Sequence, residues 1–178
     1  MKWVFCAALA LMVVCGAGCA SQGHEHQAAN HPSQGGPGTL RVSGAGVQSM
    51  TFTAADLAAM PRRTVKVQDR DGVETTFEGV TVQDVLAKAG MQFGHSLRGP
   101  RLKDYLLAES SDGYGVVFAL PELSEEFSAR TVMVVDKANG QPLAKEEGPF
   151  RTIVPDEKRH ARWVRGLVSL TVQSPSAK

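Results

Sequence analysis

The sequence predicts an α+β fold, a strand-rich mixed sheet with short helices at its periphery. Three observations carry that prediction. Several short runs alternate apolar with polar residues and stop at Gly, Asp-Gly or Pro. Only two or three stretches repeat at the helical period, and all of them are short. One run, TVMVV at residues 131–135, is aliphatic almost throughout, as a strand covered on both faces must be.

The chain opens with a segment outside that fold. Lys2 precedes an apolar run over residues 3–14 and then small residues, the layout of a secretory signal over residues 1–18. The run is shorter than the roughly 20 residues a membrane-spanning helix needs. GAGC at residues 16–19 is similar to a bacterial lipoprotein cleavage box, which makes Cys19 the expected lipidation site. Gly16 departs from it, since a larger aliphatic residue is usual there, and an ordinary signal cut near Ala20 is the other reading. Lipid on Cys19 would make a membrane the chain's partner and place it in the periplasm or cell envelope. Only Lys2 stands ahead of the apolar run, with no twin-arginine pair, so export as an unfolded chain is expected. Residues 19–39, rich in Gly, Gln, Ser and His, read as a flexible tether. His24, His26 and His31 lie there without the fixed geometry a metal site requires, and no metal ligand is assigned.

The folded domain is expected over residues 40–174. LRVSG at residues 40–44 begins as an alternating strand. In TFTAADLAAMP, Thr53 and Asp56 have capping-box spacing and Pro61 ends a short helix. Val65 and Val67, the Asp71-Gly72 turn, and Val73, Thr75 and Phe77 spell a hairpin. TVQDVLAKAG is a second helix, capped by Thr81, with Val82, Val85, Leu86 and Ala89 on one face and Gly90 closing it. YLLAES and YGVVFAL read as strands, LPELSEEF as a short helix with Pro121 in its first turn, and FRTIVP as another strand. LVSLTVQ ends the fold, with Val168, Leu170 and Val172 on one face and Ser169, Thr171 and Gln173 on the other.

Composition narrows the function. The 178 residues carry 19 Lys+Arg against 18 Asp+Glu, and 43% are hydrophobic. A net charge of +1 argues against a nucleic-acid partner. Cys6, Cys15 and Cys19 are the three cysteines, so the folded part has no disulfide, thiol nucleophile or thiolate ligand. No Ser-His-Asp order or phosphate-loop context is present, and Glu125 and Glu126 fall on an exposed turn. Positive charge is nevertheless concentrated in PDEKRHARWVRGL, residues 155–167. Lys158, Arg159, Arg162 and Arg165 surround Trp163 there, with His160 among them. The cluster either faces an anion or forms a solvated rim neutralised by Asp156 and Glu157.

Four stretches in order, at residues 77–90, 110–123, 132–155 and 158–172, together resemble the molybdopterin-binding domain of the sulfite oxidase family. The resemblance is carried by Asn139, Gly140, Pro142, Leu143, Gly148, Arg151, Pro155, Arg159, Arg162 and Trp163. It implies a sulfite-oxidase-type fold and an anionic pterin, molybdopterin, as ligand. By the same resemblance Arg159 and Arg162 hold the pterin phosphate and Tyr114 stands at an oxo-anion pocket. Arg151 either meets a substrate anion or pairs with a carboxylate such as Glu146. The family binds molybdenum through one protein cysteine near a strand of the N-terminal half. The matching region, TVKVQDRDG, offers Val67, Gln68 and Asp69 instead. Carboxylates and amides are poor donors to a thiophilic metal. Three functions therefore stand at this point: a ligand- or cofactor-binding module without the molybdenum thiolate, a genuine molybdopterin-dependent oxidoreductase, and a structural envelope protein.

Overall fold

The computed structural model describes residues 38–68 and 71–175. The signal, Cys19, the tether histidines and Asp69 lie outside the described residues. Among the described residues ten strands form two five-stranded sheets with only short helices, the strand-rich α+β architecture expected. The first sheet has the order β2 (Met50–Thr53), β1 (Thr39–Gly44), β10 (Leu167–Gln173), β5 (Tyr105–Ser110), β6 (Gly115–Ala119). It is mixed only because β1 runs parallel to β10. The second is antiparallel and has the order β3 (Arg63–Gln68), β4 (Glu74–Thr81), β7 (Met133–Ala138), β8 (Gln141–Pro142), with β9 (Arg151–Ile153) also paired to β7. A single apolar cluster contains Leu40, Val42 and Leu106 from the first sheet and Phe77, Met133 and Ile153 from the second.

Local chemistry accounts for the two α-helices. In α1 (Ala54–Ala58) the Asp56 N–H donates to Thr53 Oγ1 at 3.2 Å while Asp56 Oδ2 accepts the Thr53 N–H at 2.8 Å. Both ends of the predicted capping box are thus made. In α2 (Val82–Lys88), Thr81 Oγ1 accepts the Asp84 N–H at 3.0 Å. Val82, Val85, Leu86 and Ala89 are all buried, and Gly90 has φ 93°.

Three expectations are corrected, and two strands were not foreseen. Val73 is exposed and precedes β4, which begins at Glu74, so the first hairpin's return strand starts one residue late. In β10 a bulge between Leu167 and Ser169 breaks the alternation, so Leu167, Ser169, Leu170 and Val172 are buried while Val168 is not. The bulge inserts one residue into the ladder and turns Val168 away from the face it would otherwise share. LPELSEEF forms only a 3-10 turn at Leu120–Leu123. β2 and β8 were not foreseen, and both are short pieces at sheet margins.

β4 crosses β7 with a register shift between Glu78 and Gly79. A Cβ on Gly79 would lie 2.1 Å from the Val134 carbonyl oxygen, which is backbone and has no room to give. Gly79→Ala is expected to destabilise the domain by about 2 kcal/mol or more, read from the denaturant midpoint. An unchanged midpoint would show that the two strands separate without cost.

Candidate anion-binding site

The basic segment leaves β9 at Pro155, passes through a 3-10 turn at His160–Arg162 and enters β10. Three contacts fix its course. Thr152 Oγ1 donates to the Arg162 carbonyl and accepts the Val164 N–H, both at 2.7 Å. The Trp163 indole N–H donates to the Val154 carbonyl at 3.1 Å. The Trp163 ring meets Phe77 edge-on at 6.1 Å, and the His160 ring lies flat on it at 3.6 Å. A buried threonine and a buried tryptophan thereby hold an otherwise irregular loop.

The four cations of the segment point in different directions. Arg162 turns inward. Its Nε donates to Glu157 Oε1 at 2.7 Å and its Nη1 to Glu122 Oε1 at 3.0 Å, and the guanidinium lies 4.6 Å from the Phe118 ring centroid. Burial opposes its charge, but the hydrogen bonds to Glu157 and Glu122 outweigh that and hold Arg162 above the usual arginine range. Arg130 joins the same knot through Glu122 at 3.2 Å and Asp156 at 3.3 Å. The knot also covers the open edge of β6: Arg162 Nη1 reaches the Val117 carbonyl at 3.4 Å, and Glu122 Oε1 accepts the Ala119 N–H at 2.9 Å.

Lys158 and Arg159 are exposed and make no ion pair with any described residue. They line a cleft of about 990 Å³ with Pro155, Glu157, His160 and Ala161, facing Lys66, Val67 and Gln68 of β3. Lys66 is paired with Glu74 at 3.1 Å. A smaller cleft of about 280 Å³ adjoins it, with His160 and Ala161 in the walls of both. Its other lining residues are Ser110, Asp112 and Tyr114 from the β5–β6 turn, and Arg151, Trp163 and Arg165. Tyr114 donates its hydroxyl to the Ala161 carbonyl at 2.5 Å, joining the turn to the basic segment. The Tyr114 N–H and the Ser110 side chain hold Asp112 below the usual carboxylate range. Arg151 is 2% exposed, and its Nη1 donates to Glu147 Oε1 at 2.9 Å. Its guanidinium carbon lies 5.3 Å from the Trp163 ring and 5.4 Å from Phe77. The Arg165 Nε reaches the same Glu147 oxygen at 3.4 Å.

The structure therefore brings Tyr114 and Arg151 together in the smaller cleft and sets Arg159 in the larger one. Arg162, expected beside Arg159 on the pterin phosphate, lines neither cleft and is engaged by Glu122 and Glu157. The carboxylate on Arg151 belongs to Glu147, one residue beyond the Glu146 named above. Of the two acids expected to neutralise the cluster, Glu157 does so through Arg162, whereas Asp156 pairs with Arg130, outside the cluster. Sequence reasoning named His160 without giving it a place in a site, and missed Lys66 and Glu147. Lys66 is one exposed residue on an alternating strand, and nothing local marks it as facing a loop some ninety positions on.

Two kinds of comparison bear on this arrangement. A protein family described as the oxidoreductase molybdopterin binding domain matches residues 37–178. The crystal structure of the sulfane dehydrogenase SoxCD from Paracoccus pantotrophus is similar in fold, with a TM-score of 0.60 at 22% identity. That match covers 78% of this chain and 39% of the other, so the chain spans well under half of its solved relative. No curated protein matches the sequence. The donor set fits one half of the family's cofactor. Exposed guanidinium and ammonium groups suit a phosphate. No cysteine follows Cys19, and among the described residues no three His, Cys, Asp or Glu side chains converge on a metal position. The residues present therefore do not fit a protein-ligated molybdenum.

Arg162→Ala is expected to lower stability by roughly 2 kcal/mol in chemical denaturation, because Glu122 and Glu157 lose a partly buried counter-ion. A loss of ligand affinity at unchanged stability would return Arg162 to the binding face. The lowered Asp112 stabilises the β5–β6 turn fully above the ordinary carboxylate value of 3.8, and that contribution is lost as acidification passes through its depressed value. The protection factor of the Tyr114 amide, its exchange rate corrected for the intrinsic pH dependence, is expected to fall over that interval and to stay level across it in Asp112→Asn.

Proposed function

Because the chain belongs to the family of oxidoreductase molybdopterin-binding domains, we propose that it binds an anionic pterin-type ligand in its larger cleft without supplying a protein thiolate to a metal. We further read it as an exported module, held at a membrane in the periplasm or cell envelope by lipid on Cys19. One observation carries the binding reading. Lys158 and Arg159, free of acidic partners among the described residues, face Val67 and Gln68 across one cleft. That stretch of β3 is where the family resemblance expects the metal-ligating cysteine. Two cations beside a position that offers an apolar side chain and an amide support the reading of a cofactor site that keeps its cationic half.

The residues assign themselves roles by their surroundings. Arg159 presents a planar fork of donors to a phosphate and Lys158 a mobile point charge. His160 and Ala161 form the wall shared with the smaller cleft. Arg162 acts on the ligand only indirectly, by fixing the loop that carries Arg159. Bound pterin would supply dithiolene sulfur for a metal, and the chain's own groups hold and orient it.

The test uses a pterin bearing a phosphate monoester and the full-length chain in a fluorescence titration. Lys158→Ala with Arg159→Ala is expected to weaken binding about tenfold or more, with the thermal midpoint unchanged. Full affinity in the double variant would remove the larger cleft as the site. Stoichiometric molybdenum with turnover in the exported protein would overturn the thiolate-free reading in favour of a working oxidoreductase.

A further inference from the structure

The smaller cleft looks cationic from its lining, since Arg151 and Arg165 both face it. Its charge count says otherwise. Glu147 lies outside the lining yet contacts both guanidiniums through one oxygen, at 2.9 Å from Arg151 Nη1 and 3.4 Å from Arg165 Nε. Asp112 adds a second carboxylate to the lining, its ionised form favoured by the Tyr114 N–H. Two positive and two negative groups cancel formally. The neutral donors are also engaged: the Tyr114 hydroxyl donates to the Ala161 carbonyl, and the Ser110 side chain hydrogen-bonds the Asp112 carboxylate. A tetrahedral oxyanion entering this space would meet two arginines that share one carboxylate, Glu147, and a lining that also carries the Asp112 carboxylate, so no net positive charge is left to attract it.

We infer that the smaller cleft rejects free tetrahedral oxyanions and that Glu147 is the specificity-determining residue that makes it do so. The ligand class the cleft suits is an uncharged polar group, able to accept from an arginine without having to displace a carboxylate. Glu147 is placed for this by backbone bonds of its own. Its N–H donates to the Ala144 carbonyl at 2.9 Å and its carbonyl accepts the Gly166 N–H at 2.9 Å, so its backbone is fixed beside the arginine pair. The inference concerns the smaller cleft alone and does not rest on pterin binding in the larger one.

Inorganic sulfate is the probe, titrated into the full chain and followed by the Trp163 indole N–H resonance, which reports from the cleft wall. Glu147→Gln keeps an oxygen for Arg151 and removes only the charge. It is expected to raise sulfate affinity on the order of tenfold over the wild type. Asp112→Asn, which keeps its acceptor for Tyr114, is expected to give a smaller gain because the exposed carboxylate is screened by solvent. Equal or weaker sulfate binding in Glu147→Gln overturns the inference. So does a gain that disappears when Arg159→Ala is added, since the ion would then sit in the larger cleft. Should Glu147→Gln not fold, Asp112→Asn decides: a gain supports the charge balance, and no gain overturns it.

Discussion

A full positive charge with 2% exposure is costly, and Arg151 is such a charge. An ion taken out of water without compensation costs several kcal/mol, so its surroundings are constrained to offset it. Glu147 contributes the opposite charge, and the faces of Phe77 and Trp163 contribute ring density at 5.4 and 5.3 Å. These partners come from a turn, from β4 and from the basic segment. Satisfying one arginine therefore fixes three parts of the chain relative to one another. Trp163, once placed, seats His160 on its ring and anchors to Val154, and the shared wall of the two clefts follows.

From that anchor the basic segment divides its labour. Arg159 stands in extended backbone just before the 3-10 turn and points to solvent, whereas Arg162 lies inside the turn and is drawn to Glu122 and Glu157. Arg165 follows the turn and leans on Glu147. Neighbouring cations of one type thus stand in three settings: facing solvent, tied into the acidic knot, and leaning on a shared carboxylate. Nothing in the segment's composition distinguishes them, and the difference comes from which acids the rest of the fold brings near.

This division explains what was legible beforehand. The helix at Val82–Lys88 was readable in full, because its cap, apolar face and closing glycine all lie within ten residues. The β10 bulge was not, since it depends on how β5 pairs with it and leaves no mark on an alternating sequence. The family likeness and the position of Arg159 were accessible from ordered motifs. The fate of Arg162 was not, because its partner Glu122 is 40 positions away. Local spacing reveals which groups are charged, and only the fold reveals which of those charges are already spoken for.

The acidic knot on Arg162 has a consequence at the margin of the first sheet. β6 is an outermost strand, and Val117 on it is 50% exposed. An outermost strand with bare peptide groups invites the same strand of another molecule to extend the ladder. Here the Val117 carbonyl and the Ala119 N–H are already occupied by Arg162 and Glu122. Copies crowded side by side would find those two ladder positions already taken, so the same salt links that steady the loop leave less of the border open to mutual stitching.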